Sequence, residues 1–461
     1  MTHSLQAIVL AAGKGTRMNS ALPKVVHAAA GRPLLHYVLD GCQRLGARAL
    51  VVVGHQADAV REACASRPGL RFALQEPQLG TGHAVQMALR ASSDPAADAI
   101  LVLAGDVPLL REETLSALCD LRQKTSAAAA LISFRTPCPG SYGRIVRDGA
   151  GRVARIVEAR DASPEERLIN EVNASIYVFD GARLRASIDR VRSDNAQGEF
   201  YLTDVVGLLV AAGERVEALV LDDPSEAVGV NTPAELAAVE TALYARRASQ
   251  MILAGASIER PDTVLIGPDV ALAAGARIRA FTILEGNTRV EAGAVVGPFC
   301  RIVDAEVGAG ATILDSCLVR SSKIMAGASI GPFAHIRPDS VVGENAKVGN
   351  FVELKKTSLG AGAKAPHLSY LGDATIGDKA NIGAGTITCN YDGVVKSPTT
   401  IEDGAFVGSN SILVAPVRVG RGAYIAAGSV ITKDVPEGAL GVGRARQENK
   451  AGWASRRPRK Q

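Results

Sequence analysis

From residue 264 onward the sequence repeats every six residues. An aliphatic side chain recurs at Ile266, Leu272, Ile278, Leu284, Val290, Val296 and Ile302. After a one-residue slip it resumes at Val307, Ile313 and Val319, then at Ile324, Ile330, Ile336, Val342, Val348 and Leu354. A last series runs Ile401, Val407, Leu413, Val419, Ile425 and Ile431. Such hexads build a parallel β-helix, in which three hexads, roughly 18 residues, make one triangular coil. The aliphatics stack inside, and the small residues that often follow them fit beside a corner. Residues 389–400, "CNYDGVVKSPTT", break the pattern and are predicted to loop out.

The first 230 residues follow another rule. "AIVLAAG", "ALVVVGH", "AILVLAGD", "AAALISF" and "ASIYVFD" read as strands, with helical stretches such as "PLLHYVLDGCQRLG" between them. This βαβ rhythm predicts a parallel sheet covered on both faces. Residues 231–253 read as one connecting helix: Thr232 and Glu235 form a capping-box pattern, Pro233 takes the first helical position, and Leu236, Val239 and Leu243 make one apolar stripe. The expected division is therefore 1–230, a linker helix over 231–253, and 254–461. Aromatic content of 4% with a single Trp suits large sheets of small aliphatic residues.

A formal charge of +4 does not imply general nucleic-acid binding. No apolar run approaches a membrane span, and "MTHSLQAIVL" lacks the basic region of a secretory signal. The seven cysteines show no CxxC pairing and read as reduced thiols. A soluble cytoplasmic protein is the expectation.

The stretch "LAAGKGTRM" at residues 10–18 follows a predicted strand. It fails the Walker pattern, and the dinucleotide fingerprint fails because its third glycine position is Met18. What remains is a glycine turn exposing backbone N–H groups beside Lys14, Thr16 and Arg17, with Lys24 behind Pro23. That is an anion cradle; an ordinary glycine-rich turn is the plain alternative. Open parallel sheets bind ligands beyond the carboxyl ends of their strands. Asp106 sits at such an end, and Gly80-Thr81-Gly82 at another, just before a helix. An Asp there is either an N-cap or a magnesium ligand bridging to phosphates.

In the hexad region Arg337 follows Ile336 and Lys355 follows Leu354, one coil of 355 − 337 = 18 residues apart. Two cations on adjacent strands repel. Either both splay into solvent or an anion such as a sugar phosphate sits between them. His367 lies in the next coil with Tyr370 and Asn381 close in sequence. A lone His is often structural, but an imidazole here is well placed to take a proton near neutral pH.

Taken in order, "LAAGKGTRM", "LPKVVH", "LQEPQLGTGHA", "GDVPL", "YGRI", "IVEARDA", "NAQGEFYLTD" and "GVN", followed by hexads, resemble the bacterial bifunctional N-acetylglucosamine-1-phosphate uridylyltransferase / glucosamine-1-phosphate acetyltransferase family over nearly the whole chain. The resemblance implies a Rossmann-like α/β nucleotidyltransferase domain, mostly parallel, followed by a left-handed parallel β-helix. It implies acetyl-CoA-dependent N-acetylation of glucosamine-1-phosphate, then uridylyl transfer from UTP with release of pyrophosphate, feeding peptidoglycan and lipopolysaccharide precursors. Carried over by motif, nucleotide and sugar contacts fall on Leu10, Ala11, Ala12, Gly13, Lys24, Gln75, Gly80, Thr81, Ala104, Gly105, Asp106, Gly143, Glu158, Asn173 and Asn231. Asp106 and Asn231 would hold Mg2+, with Arg17 and Lys24 facing the triphosphate. His367 would be the general base toward the amine; Arg337 and Lys355 would hold the phosphate, and Tyr370 and Asn381 the sugar. Acetyl-CoA contacts fall on Ala384, Asn390, Tyr391, Ser409, Ala427 and Arg444, and the family is a homotrimer.

Two departures adjoin the sugar pocket: Ala104 where members often carry Tyr, and Ala174-Ser175 where Thr-Gly is common. A pyrophosphorylase with a regulatory β-helix, the alternative enzyme, leaves His367 and the Arg337–Lys355 stack without a role. A non-enzymatic scaffold leaves Asp106 and the glycine turn unexplained. The basic tail "ASRRPRKQ" reads as a solvated end.

Overall fold

The computed structural model describes residues 4–92, 94 and 97–457. The last four residues of the basic tail lie outside them. The chain divides into two compact units, the first ending at Leu243 and the second beginning at Tyr244.

The first unit is built on seven long strands: β1 (Leu5–Ala11), β2 (Arg48–Val53), β3 (Arg71–Leu74), β4 (Ala99–Ala104), β5 (Ala129–Arg135), β6 (Glu171–Asp180) and β7 (Val216–Leu221). Their order across the sheet is β7-β5-β6-β4-β1-β2-β3. Ile8, Ile100 and Val102 pack on one face while Val9, Leu101 and Leu103 pack on the other. Both faces are covered, so the strands read as unbroken apolar runs rather than as alternation. The sheet departs from the expected parallel arrangement at β6, which runs antiparallel to β4 and β5. Between β5 and β6 the chain makes a hairpin, Arg144–Arg147 with Val153–Val157, and a one-turn helix, Pro164–Arg167. It has no crossover helix there to carry it back to the starting edge, so β6 enters from the other end.

The helix Pro233–Leu253 forms as its sequence predicts. The Glu235 N–H donates to Thr232 Oγ1 at 3.2 Å, and Glu235 Oε2 accepts from the N–H groups of Thr232 and Asn231 at 2.9 and 2.7 Å. This reciprocal cap satisfies donors that the first helical turn would leave unpaired. No helix among the described residues is long and apolar enough to cross a membrane.

In the second unit three parallel sheets of short strands form the faces of a prism. The named aliphatics of every hexad series are buried inside it. Successive coils pair in register, Ile336 with Leu354 and Leu354 with Leu371. The helix also runs unbroken through residues 355–388, where the inward positions are Leu359, Ala365, Leu371, Ile376, Ile382 and Thr388. Ala and Thr are not the aliphatics the period looks for, and five-residue steps disguise it further. Strands keep Cys389 and Thr399–Ile401 in the coil, so the excursion is narrower than 389–400. Its tip is the exposed pair Val394 and Val395.

Candidate functional site

Leu10 of β1 and Ala104 of β4 are register partners, and the Gly105 N–H donates to the Leu10 carbonyl at 2.9 Å. The glycine turn and Asp106 therefore leave the sheet side by side, at the carboxyl ends of neighbouring strands. Gly15 takes φ 58°, and a Cβ there would lie 2.8 Å from Lys24 Cβ. Only glycine lets the turn close on Lys24. The Lys24 ammonium pairs with Asp106 Oδ2 and donates to Asn231 Oδ1 at 3.0 Å, and Arg17 Nη2 donates to the same oxygen at 3.0 Å. The Val230 N–H donates to the Asp106 carbonyl at 3.0 Å, clipping "GVN" onto the strand end. Thus Arg17, Lys24, Asp106 and Asn231 meet. A carboxylate and an amide oxygen already share one ammonium, which is a hard, all-oxygen donor pair. Such a pair could hold a hard divalent cation such as magnesium.

Gln75 is buried at the end of β3 and donates to the Gly80 carbonyl at 2.9 Å. Gly80 and Gly82 lie against the Phe200 carbonyl, which a Cβ on either would approach to 2.7 or 2.8 Å. Thr81 opens the helix Thr81–Ala91, and its hydroxyl accepts the Leu202 N–H at 3.1 Å.

The residues expected at the sugar end also come together. The Asn173 N–H donates to the Gly143 carbonyl at 2.9 Å, and a Cβ on Gly143 would stand 3.6 Å from Glu158 Oε1. Burial pushes the Glu158 carboxyl above its ordinary range, opposed by the Thr203 hydroxyl, which donates to it at 3.1 Å. The Asn173 amide is buried and donates to the Tyr177 hydroxyl at 2.6 Å. Ser175 adopts φ 58°, in the left-handed region.

In the second unit Arg337 and Lys355 do sit one above the other, but each has a carboxylate. Arg337 Nη1 reaches Glu353 Oε1 at 2.8 Å, and Lys355 Nζ lies 3.6 Å from Asp373 Oδ2. Charge balance therefore does not require a bound anion. Lys396, from the excursion, comes beside Lys355, which pushes its pKa down. Gly372 is the register partner of Lys355, and the Tyr370 hydroxyl and Asn390 Nδ2 stand 2.5 and 2.9 Å from where its Cβ would be. Asn390 Nδ2 also donates to Asp373. Thr388, inside the prism, accepts the Gly372 N–H at 2.8 Å.

His367 lies on the adjoining sheet, exposed, with Nδ1 at 2.7 Å from Asn350 Oδ1. Asn381 shares that sheet, paired with Lys364 at the other end of the His367 strand. No side-chain hydrogen bond joins Asn381 to His367, Tyr370 or Lys355 among the described residues. Ala384, Ser409 and Ala427 continue one ladder: the Asn410 N–H donates to the Ala384 carbonyl at 2.7 Å and the Gly428 N–H to the Ser409 carbonyl at 2.8 Å. Tyr391 is exposed beyond Asn390, and Arg444 lies past the strand Leu440–Gly441, apart from the cation cluster in sequence and fold.

Sequence reading missed Thr203, Glu353, Asp373, Lys396 and Asn350. The signal for Glu353 and Asp373 was available: each stands in a coil next to its cation, within two residues of that cation's register position. Asn350, an amide at the end of the strand Lys347–Asn350, carried none.

Comparison with known proteins finds matches in both units. Residues 7–201 match the MobA-like NTP transferase domain. Residues 321–356 match the bacterial transferase hexapeptide (six repeats), and residues 398–433 match the hexapeptide repeat of succinyl-transferase. The bifunctional protein GlmU of Brevibacillus brevis is 48% identical over 99% of this chain and 98% of its own length. That of Heliobacterium modesticaldum is 46% identical over 99% of both. That of an Anaeromyxobacter species is 50% identical over 99% of this chain and 94% of its own.

Proposed function

This chain belongs to the bifunctional GlmU family, and from that premise we propose which residues carry its two reactions. The enzyme makes UDP-N-acetylglucosamine: it acetylates glucosamine-1-phosphate and transfers a uridylyl group from UTP to the product.

The observation that carries the first assignment is the meeting of Lys24 with Asp106 and with Asn231, 207 residues away in sequence. In uridylyl transfer the sugar phosphate oxygen attacks the α-phosphorus of UTP and pyrophosphate leaves. Gly13 and its neighbours offer N–H groups to the phosphates, and Lys24 and Arg17 supply positive charge that little covalent chemistry need supplement. Asp106 and Asn231 are the residues that would hold Mg2+, which neutralises charge developing on the phosphates. Glu158, half-buried and able to accept from a hydroxyl, orients the sugar.

In acetyl transfer Arg337, Lys355 and Lys396 form a cationic group suited to a phosphate monoester. His367 Nε2 takes the proton from the amine, whose nitrogen attacks the thioester carbon of acetyl-CoA as the thiolate leaves. The ladder Ala384–Ser409–Ala427 is small and flat enough for the pantetheine arm to approach the backbone, and Tyr391 and Arg444 reach the same ligand from neighbouring segments.

The assembly is a homotrimer. Its support is an apolar edge that one subunit leaves in solvent: Phe281 stacks on Phe299 at 5.1 Å and Phe333 on Phe351 at 5.4 Å, all four at positive φ. A bulky residue held left-handed carries strain, and burial against a second copy offsets it. The enzyme works in the cytoplasm, where both nucleotide and coenzyme substrates reside.

The test is a pair of assays on the full chain. Glucosamine-1-phosphate with acetyl-CoA is to release free thiol, and N-acetylglucosamine-1-phosphate with UTP is to release pyrophosphate. Pyrophosphate without thiol would return the β-helix to a regulatory role.

A further inference from the structure

Most strands of the prism are two or three residues long, but Lys347–Asn350 and Lys364–His367 are four. They pair Lys347 with Lys364, Val348 with Ala365 and Asn350 with His367, carrying the ladder out to the corner where His367 stands. Gly349 makes this approach possible: a Cβ there would lie 1.8 Å from the Pro366 carbonyl oxygen. At the corner the Leu368 N–H donates to the Asn350 carbonyl at 3.0 Å, so the Asn350 backbone is pinned to the residue after His367. Its side-chain oxygen then meets His367 Nδ1 at 2.7 Å.

We propose that Asn350 is a positioning residue for acetyl transfer, holding His367 in the tautomer that leaves Nε2 free to take a proton; the inference rests on the reading of His367 as the general base. An amide oxygen only accepts, so Nδ1 must carry the hydrogen of the neutral ring. Nε2 then keeps its lone pair and faces solvent and substrate. The partner on one ring nitrogen selects the state of the other. Without it the tautomers interchange and the ring turns, and part of the enzyme presents an N–H where a base is needed. Asn350 itself touches neither substrate nor the proton in flight.

The experiment compares wild type, Asn350→Ala, Asn350→Asp and His367→Ala as full chains, reading thiol release across pH and uridylyl transfer as a control of folding. Asn350→Ala is expected to lower kcat for acetyl transfer about 10- to 100-fold, with both KM values within about twofold of wild type. Asn350→Asp still accepts from Nδ1–H and should recover much of the rate at high pH. Its carboxylate also favours the imidazolium, so the acid-side fall in rate should move up by about 1 pH unit. A packing role would not move that limb, and the substrate amine contributes equally in all variants. If His367→Ala abolishes acetylation while Asn350→Ala keeps near-normal kcat and Asn350→Asp leaves the limb in place, Asn350 has no positioning role and the base stands. Near-normal acetylation by His367→Ala overturns the base itself. Should Asn350→Ala fail to fold, Asn350→Asp decides alone by the position of its acid limb.

Discussion

Lys24 donates its ammonium to Asn231 at 3.0 Å, joining a loop after the first strand to the residue before the connecting helix. Asp106 shares that ammonium. Asp106→Ala should therefore lower uridylyl transfer by about 10²–10³-fold, the several kcal/mol that charge stabilisation by a metal supplies. Acetyl transfer should remain. Chelation with EDTA should reproduce the split, and excess magnesium should rescue wild type but not the variant. Loss of both activities by a folded Asp106→Ala protein would refute two independent sites.

The same contact decides where the chain can be cut. A fragment of residues 1–253 should keep uridylyl transfer, since it holds Asn231, the Glu235 cap and Glu240, which accepts the Ala30 N–H at 2.8 Å. A fragment ending at 230 lacks all three and should lose the activity even where it folds. Equal pyrophosphate release by both fragments would remove Asn231 from the site.

Glu158 sets function against stability. Burial raises its pKa, so the folded state holds the proton more tightly than the unfolded state. Stability from this group is complete below the ordinary carboxylate range and is lost as pH rises through the raised value. Glu158→Gln should remove that slope and raise stability near pH 7, while uridylyl transfer falls. Thermal melts from pH 4 to 8 check the sign; a less stable variant at pH 7 would show the carboxylate to be favourably paired.

What the sequence disclosed follows from how each feature is encoded. The hexads are legible because every coil repeats the same inward aliphatic, so Ile336 and Leu354 announce their own stacking. The stretch 355–388 is the least legible part, because Ala365 and Thr388 stand at inward positions where other coils carry larger aliphatics; Thr388 accepts the Gly372 N–H beside Lys355. The reversal of β6 depends on a connection lacking a crossover helix, which a list of apolar runs does not register. Asp106 and Lys24 were recognisable as types, but their meeting at Asn231 is a product of sheet order.

Phe351 tests the apolar edge. It is 56% exposed and stacks on Phe333 at an interplanar angle of 11°. If this edge joins the proposed trimer, Phe351→Asp should dissociate it, because a carboxylate would be buried without a partner. Analytical ultracentrifugation should show the smaller species. Uridylyl transfer should hold. An unchanged sedimentation coefficient would place the subunit contact elsewhere.

Arg337 and Lys355 make the last case, because their carboxylate partners complicate it. With Glu353 and Asp373 already in place, the cations are balanced in the free enzyme. A phosphate must compete with those carboxylates, and each cation gives it one charge-assisted hydrogen bond. With one such bond lost, Arg337→Ala and Lys355→Ala should each raise KM for glucosamine-1-phosphate about tenfold or more. The acetyl-CoA KM should stay near wild type, and kcat should change little. The double variant should cost less than the two singles together, because one phosphate couples them. Glucosamine without its phosphate supplies the control. It should be a poor substrate for wild type, and the double variant should be no worse with it. If the variants lose activity equally on both substrates, the cations hold the coil together through Glu353 and Asp373 and the phosphate binds elsewhere.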